Sequence, residues 1–120
     1  MKTLVIGASE RPSRYAHKAV KLLREYGHEV VATGVREGRI DDVAIQTGQP
    51  AFAEVDTVTL YVGPQRQDAS LRGYVIGLRP RRVIFNPGTE NPAFAEELRT
   101  AGVEPVEACT LVMLRTGQYA

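Results

Sequence analysis

Lys2-Thr-Leu-Val-Ile-Gly-Ala-Ser-Glu-Arg-Pro-Ser-Arg-Tyr15 carries an apolar run, Leu4-Val5-Ile6, into three small residues, Gly7-Ala8-Ser9, and then into Arg11, Pro12 and the start of a helical pattern. That order reads as strand, tight turn, helix. The run is continuous rather than alternating, as in a parallel strand covered on both faces. Small residues let a backbone approach a ligand closely, and the unbonded N–H groups at a helix start attract anions, phosphate above all. Any buried first strand of an α/β domain also needs a compact turn into its helix, so the stretch speaks to fold before ligand.

Working outward, Ala16, Ala19, Val20, Leu23 and Tyr26 keep helical spacing, Lys18, Lys21, Arg24 and Glu25 take the other face, and Gly27 ends the helix. Residues 29–33 make a second strand, and hence a β-α-β unit with a right-handed crossover. Further strands are predicted at 57–62, 82–85 and 103–106, the last at a sheet edge because of Pro105. Leu71, Tyr74, Val75 and Leu78 fall at i, i+3, i+4 and i+7 of a second helix. Asn91-Pro92 opens a third, with Phe94, Ala95, Leu98 and Ala101 on its apolar side. Segment 34–56 holds Gly34, Gly38, Gly48 and Pro50 among charged residues and has no crossover helix. It reads as a ligand-side loop or a solvated connection, with an extended piece at 43–45 and one helical turn at 50–55. The apolar tail 108–114 packs back onto the rest. The expectation is one α/β, Rossmann-like three-layer domain spanning residues 1–120, with a mostly parallel five-stranded sheet.

Composition narrows the partners. At 120 residues, 43% hydrophobic and 24% charged, the chain suits one folded core. With 15 basic and 14 acidic residues, no overall field draws it to nucleic acid or to an anionic membrane. A lone cysteine excludes a disulfide framework, and no Cys/His spacing suggests a metal site. The first strand begins at once and no apolar run nears membrane-spanning length, so a cytoplasmic protein is expected.

In this fold a ligand sits at the carboxyl ends of the strands, where the winding reverses. Delivered there are Gly7-Ala8-Ser9, Thr33-Gly34-Val35-Arg36, Gly63-Pro64-Gln65 and Asn86-Pro87-Gly88-Thr89: amides, hydroxyls and arginine, suited to a phosphate-rich nucleotide. The dinucleotide fingerprint requires three spaced glycines and an acid after the second strand. Only Gly7 stands in the turn, and Arg36 replaces the acid, which disfavours NAD and leaves NADP and coenzyme A, both phosphorylated on the adenosine ribose. His17 and His28 read as surface residues. No acid/base pair is apparent, and no catalytic residue is assigned.

Gly7-Ala8-Ser9 followed by Arg11-Pro12-Ser13-Arg14-Tyr15, the Asn86-Pro-Gly-Thr-Glu-Asn-Pro92 turn, and Glu107-Ala-Cys-Thr110 together resemble the small, stand-alone CoA-binding domain proteins of bacteria and archaea. Those are similar to the nucleotide-binding domain of the succinyl-CoA synthetase α-subunit. The resemblance covers nearly the whole chain. It implies that Gly7, Ala8 and Ser9 hold the CoA pyrophosphate with Arg11, Arg14 and Tyr15 nearby, and that Thr33, Gly34, Val35 and Arg36 hold the adenosine end. It further implies that Gly63 and Pro64 line the adenine side or the middle, and that Asn86, Pro87 and Gly88 line the pantetheine side. Cys109 matches a cysteine often seen in the family; it is either a thiol that meets the CoA thiol in a mixed disulfide or a buried small hydrophobe. The chain departs from the family pattern in Ala-Thr-Gly-Val-Arg after the second strand, where a Val-Asn-Pro-like segment is common. It departs again in Asn-Pro-Gly-Thr, where Gln-x-Gly-Val is common.

Three functions fit these residues. The first is non-catalytic binding of coenzyme A or an acyl-CoA. The second is an enzyme, either an NADP-binding reductase or a ligase subunit. The third is a ligand-free interaction module, with a protein partner or as a homo-oligomer. A reductase needs a substrate domain and a ligase subunit a phosphohistidine domain, for which this length leaves no room, so the first is expected.

Overall fold

The computed structural model describes all 120 residues. Elements run β1 (Lys2–Ile6), α1 (Tyr15–Glu25), β2 (Glu29–Thr33), β3 (Gly38–Ile40), β4 (Val43–Gln46), β5 (Val55–Leu60), α2 (Ala69–Gly77), β6 (Arg82–Phe85), α3 (Pro92–Thr100), β7 (Glu104–Glu107) and α4 (Thr110–Arg115), with one 3-10 turn at Pro64–Arg66. They form one sheet in the order β3-β4-β2-β1-β5-β6-β7. All neighbours are parallel except β3 and β4. The chain winds outward from β1 through β2 and then crosses to β5 on the other side of β1, so the reversal lies beside the Gly7 turn.

The α/β, Rossmann-like expectation holds; five strands is corrected to seven. The two extra strands come from segment 34–56. Val43 and Ile45 are buried while Ala44 and Gln46 are exposed, the period of a strand covered on one face. A two-residue turn, Asp41-Asp42, folds β3 back onto β4, with Asp41 at φ 51, a region that aspartate tolerates. The turn is tied to α1 by Lys21 with Asp41 and Arg24 with Asp42. The helical turn expected at 50–55 is absent. That stretch is irregular and is held by the Tyr74 hydroxyl, which donates to the Pro50 carbonyl at 2.6 Å. The tail is more ordered than expected, since residues 110–115 form α4.

Because β1 and β6 are central, their alternate residues feed two cores, while β5 gives its apolar residues to one of them. On one face Val5 and Ile84 pack with Val20 and Leu23 of α1 and Leu114 of α4. On the other, Leu4, Leu60 and Phe85 pack with Val75 of α2 and Phe94 and Leu98 of α3, the two phenyl rings meeting edge to face at 5.6 Å. Asn91 caps α3 by accepting the Phe94 N–H at 3.1 Å with Pro92 just inside, as its sequence requires. No helix is long and apolar enough to cross a membrane.

Candidate functional site

Where the chain leaves β1, β2 and β5, a cleft of about 1040 Å³ opens between the β1–α1 turn, the loop after β2, the start of α2 and the 86–89 turn. Its floor is stitched by the backbone. The N–H groups of Gly7 and Ala8 both donate to the Thr33 carbonyl, at 3.0 and 2.9 Å, and the Gly34 N–H donates to the Gln46 carbonyl at 3.0 Å. The first two amides are therefore engaged within the fold. The N–H groups of Tyr15, Ala16 and His17, in the first turn of α1, make no hydrogen bond. The cap residue Arg14 offers that turn no side-chain acceptor, no acid lies within it, and the first closed bond runs from the Lys18 N–H to the Arg14 carbonyl. An uncapped helix start of this kind concentrates partial positive charge at the cleft.

The turn is braced from beneath by His17. Its Nδ1 lies 2.9 Å from the Ser9 carbonyl oxygen, which can only accept, so Nδ1 carries the proton. His17 is buried, which overturns its reading as a surface residue: the ring reaches back across the turn instead of out to solvent. His28 is only partly buried and packs edge-on against Tyr119.

Arg11, Arg14, Arg36 and Arg66 line the cleft, and none of them is ion-paired. By contrast Arg24, Arg72, Arg81 and Arg99 each hold a carboxylate elsewhere on the surface. Three acids also line the cleft, and two of them are committed to backbone. Glu10 accepts the Arg39 N–H at 2.9 Å, and Asp68 caps α2 by accepting the Leu71 N–H at 2.9 Å. Glu37 stands exposed beside Arg36. On the far wall Gln49 donates to Ser70 Oγ at 2.9 Å, joining the loop after β4 to α2, while Val35, Val62 and Leu71 supply apolar surface.

The 86–89 turn closes by a bond from the Thr89 N–H to the Asn86 carbonyl at 2.9 Å. Pro87 and Gly88, at φ +91, take the two central positions as in a type II turn. Pro87 and Gly88 face the cleft; Asn86 does not. Only 2% exposed, Asn86 donates to Thr59 Oγ1 and the Leu60 carbonyl at 2.6 and 2.8 Å and accepts the Thr110 N–H at 2.9 Å. It ties β5, β6 and α4 together from inside. Gln67, also buried, brackets the same region by donating to the Val62 and Thr89 carbonyls.

Of the residues singled out by sequence, Gly7, Ala8, Ser9, Arg11, Arg14, Tyr15, Thr33, Gly34, Val35, Arg36, Gly63, Pro87 and Gly88 meet at this cleft. Pro64, Asn86 and Cys109 are not among its lining residues. Pro64 begins the 3-10 turn, and Cys109 sits partly buried at the cap of α4. Sequence reasoning missed Arg66, Gln49 and Ser70. Arg66 had a signal, a basic residue three positions after the Gly63 that ends a strand. Gln49 falls in segment 34–56, read as a ligand-side loop or a solvated connection, but Ser70 and its pairing with Gln49 across 21 residues had no local signal.

The sequence profile of the family described as a CoA binding domain matches residues 1–115. The chain belongs to this family. The crystal structure of an uncharacterized protein shares 46% identity with it over 98% of this chain and 97% of that one, with a TM-score of 0.94. The structure of cell-free ID.343 from Thermus thermophilus superposes with a TM-score of 0.86 at 23% identity, over 98% of this chain and 90% of that one. A dinucleotide-forming acetyl-coenzyme A synthetase 1 from Ca. Korarchaeum cryptofilum, in complex with phosphate and ADP, shares the fold with a TM-score of 0.71. Its identity is 14%, over 88% of this chain and 25% of that one. At those two lower identities the likeness speaks to fold alone. No curated protein matches the sequence.

Proposed function

We propose that the protein binds coenzyme A or an acyl-CoA in this cleft and does so without catalysing a reaction of its own. The observation that carries the reading is the alignment of anion-directed groups along one opening. The unbonded first-turn N–H groups of α1 stand with Arg11 and Arg14 in one part of the lining, and the unpaired Arg36 stands on the loop after β2. The first group suits the pyrophosphate and Arg36 the phosphate on the adenosine ribose, leaving Pro87 and Gly88 beside the pantetheine arm. At about 1040 Å³ the cleft has room for an extended nucleotide.

Calorimetry with CoA, acetyl-CoA, NADP and NAD tests the proposal. CoA or acetyl-CoA is expected to bind tightest and NAD weakest. Tighter binding of either nicotinamide nucleotide would overturn it, and binding of none of the four would favour an interaction module.

A further inference from the structure

We propose that Glu10 is a positioning residue that sets where Arg36 stands, and that it thereby governs how strongly the cleft prefers a phosphorylated over an unphosphorylated adenosine ribose. The inference rests on the CoA reading above. Glu10 is an exposed acid in the turn next to the uncapped start of α1, where a free carboxylate would repel the very anion the site attracts. It is not free. Its Oε2 accepts the Arg39 N–H at 2.9 Å, and its side chain lies so close over Gly38 that a Cβ there would come within 2.4 Å of Cδ and 2.6 Å of Cγ.

Those two residues open β3, immediately after the arch 35–37 that carries Arg36. The other foot of the arch is Gly34, whose N–H is held by the Gln46 carbonyl and whose Cα packs against the Ala8 carbonyl oxygen, 2.4 Å from where a Cβ would lie. Both feet therefore rest on the β1–α1 turn, one on Ala8 and one on Glu10. The arch that presents Arg36 is held in register with the turn expected to hold the pyrophosphate. Arg36 itself makes no ion pair, so its position depends on those feet.

The test compares the dissociation constants of CoA and dephospho-CoA for the wild type, Glu10→Gln, Glu10→Ala, Gly38→Ala and the Glu10→Ala/Gly38→Ala double variant. The wild type is expected to prefer CoA by about tenfold or more, the range of one charge-assisted bond. Glu10→Ala and Gly38→Ala are each expected to cut that preference at least about threefold, and the double variant no further than either alone, as for two changes to one contact. Gly38→Ala acts by pushing aside a flexible side chain while leaving the charge of Glu10 in place. Glu10→Gln keeps an oxygen for the Arg39 N–H and is expected to retain the preference. If Glu10 acted only through its charge, the Gln and Ala variants would behave alike and Gly38→Ala would leave the preference unchanged; that result overturns the inference. Hydrogen exchange judges the tether without any ligand: the Arg39 amide is expected to exchange faster in Glu10→Ala and at the wild-type rate in Glu10→Gln. A wild type that binds no CoA would bring down the reading of the ligand. Unchanged exchange in Glu10→Ala would bring down the tether.

Discussion

The guanidinium of Arg82 lies over the ring of Tyr119, 4.5 Å from its centroid, and donates from Nη2 to that residue's carbonyl oxygen at 2.6 Å. Arg82 is 6% exposed and has no carboxylate partner; its Nε donates to Thr57 Oγ1 at 3.0 Å. The Tyr119 hydroxyl pairs with Thr3 Oγ1, so residue 119 keys the amino-terminal ends of β1, β5 and β6. A buried cation held only by neutral acceptors and a ring depends on all of them. Tyr119→Ala is expected to cost about 3–5 kcal/mol, as other aromatic truncations in a core do. Tyr119→Phe, which loses one hydrogen bond, should cost about 1 kcal/mol. Urea denaturation measures both; an alanine variant within 1 kcal/mol of wild type would show that the residue is no keystone.

Burial pushes the Tyr61 phenol up to about 12, and its hydroxyl has no hydrogen-bond partner. The neighbouring hydroxyls of Thr59 and Thr110 bond each other at 2.8 Å instead. Unfolded tyrosine ionises near 10, so the unfolded chain loses this proton first as pH rises. Stability from this residue is complete below pH 10 and is lost between pH 10 and about 12. Tyr61→Phe removes an unsatisfied group and is expected to leave stability at pH 7 unchanged or slightly higher. It should also flatten the alkaline loss, leaving the part due to Tyr74 and Tyr119, whose phenols burial also raises. Urea midpoints from pH 8 to 12 decide it; equal slopes in variant and wild type would refute the assignment.

Asn86→Ala strands the Thr110 N–H and the Leu60 carbonyl inside the protein. The expected loss exceeds about 2 kcal/mol, since each buried polar group left alone costs 1–3. It should appear in the absence of any ligand, which separates an internal tie from a ligand contact. A variant as stable as the wild type would return Asn86 to the list of binding candidates.

The Asn86 result shows where sequence reading stops. The turn 86–89 was legible because Pro and Gly announce it, and so was α3, because Asn91-Pro92 is a local start signal. Which way the Asn86 side chain points was not legible, because its partners lie 24 to 27 residues away. Of the β3–β4 hairpin, the extended piece expected at 43–45 is β4, but β3 and its pairing escaped. A three-residue strand is too short to show a period, and its burial comes from α1 packing over it. The six residues of α4 make barely two turns, too few for a periodic pattern. The backbone wall of the cleft was readable from small residues after strands; the part of the side-chain wall formed by Gln49 and Ser70 depends on a tertiary pairing.

Gly34→Ala tests that backbone wall. Its Cβ would lie 2.4 Å from the Ala8 carbonyl oxygen and 3.0 Å from Ile45 Cγ2, and a main-chain oxygen cannot swing aside. The ends of β1 and β2 would have to separate where the Gly7 and Ala8 N–H groups reach Thr33. The expected cost is about 1–3 kcal/mol, typical of overpacking, together with weaker CoA binding. Thermal melts with and without CoA measure the two effects; a variant melting at the wild-type temperature would mean that the turn gives way without cost.

Arg36 and Arg14 are assigned to different phosphates of the proposed ligand, and their substitutions should differ in kind. Arg36 stands on the loop after β2 and has no protein anion to hold, so Arg36→Ala is expected to weaken CoA about tenfold while changing dephospho-CoA less than about twofold. Arg14 stands at the start of α1, beside the open N–H groups, where the pyrophosphate common to both ligands is proposed to lie. Arg14→Ala should therefore weaken both by a similar factor and leave their ratio unchanged. Both losses should shrink as salt is raised, because the groups are exposed and screened. Calorimetric titrations at two salt concentrations provide the comparison. Equal losses of CoA and dephospho-CoA in Arg36→Ala would remove this arginine from the ribose phosphate. A CoA-selective loss in Arg14→Ala would reverse the direction in which the ligand lies along the cleft.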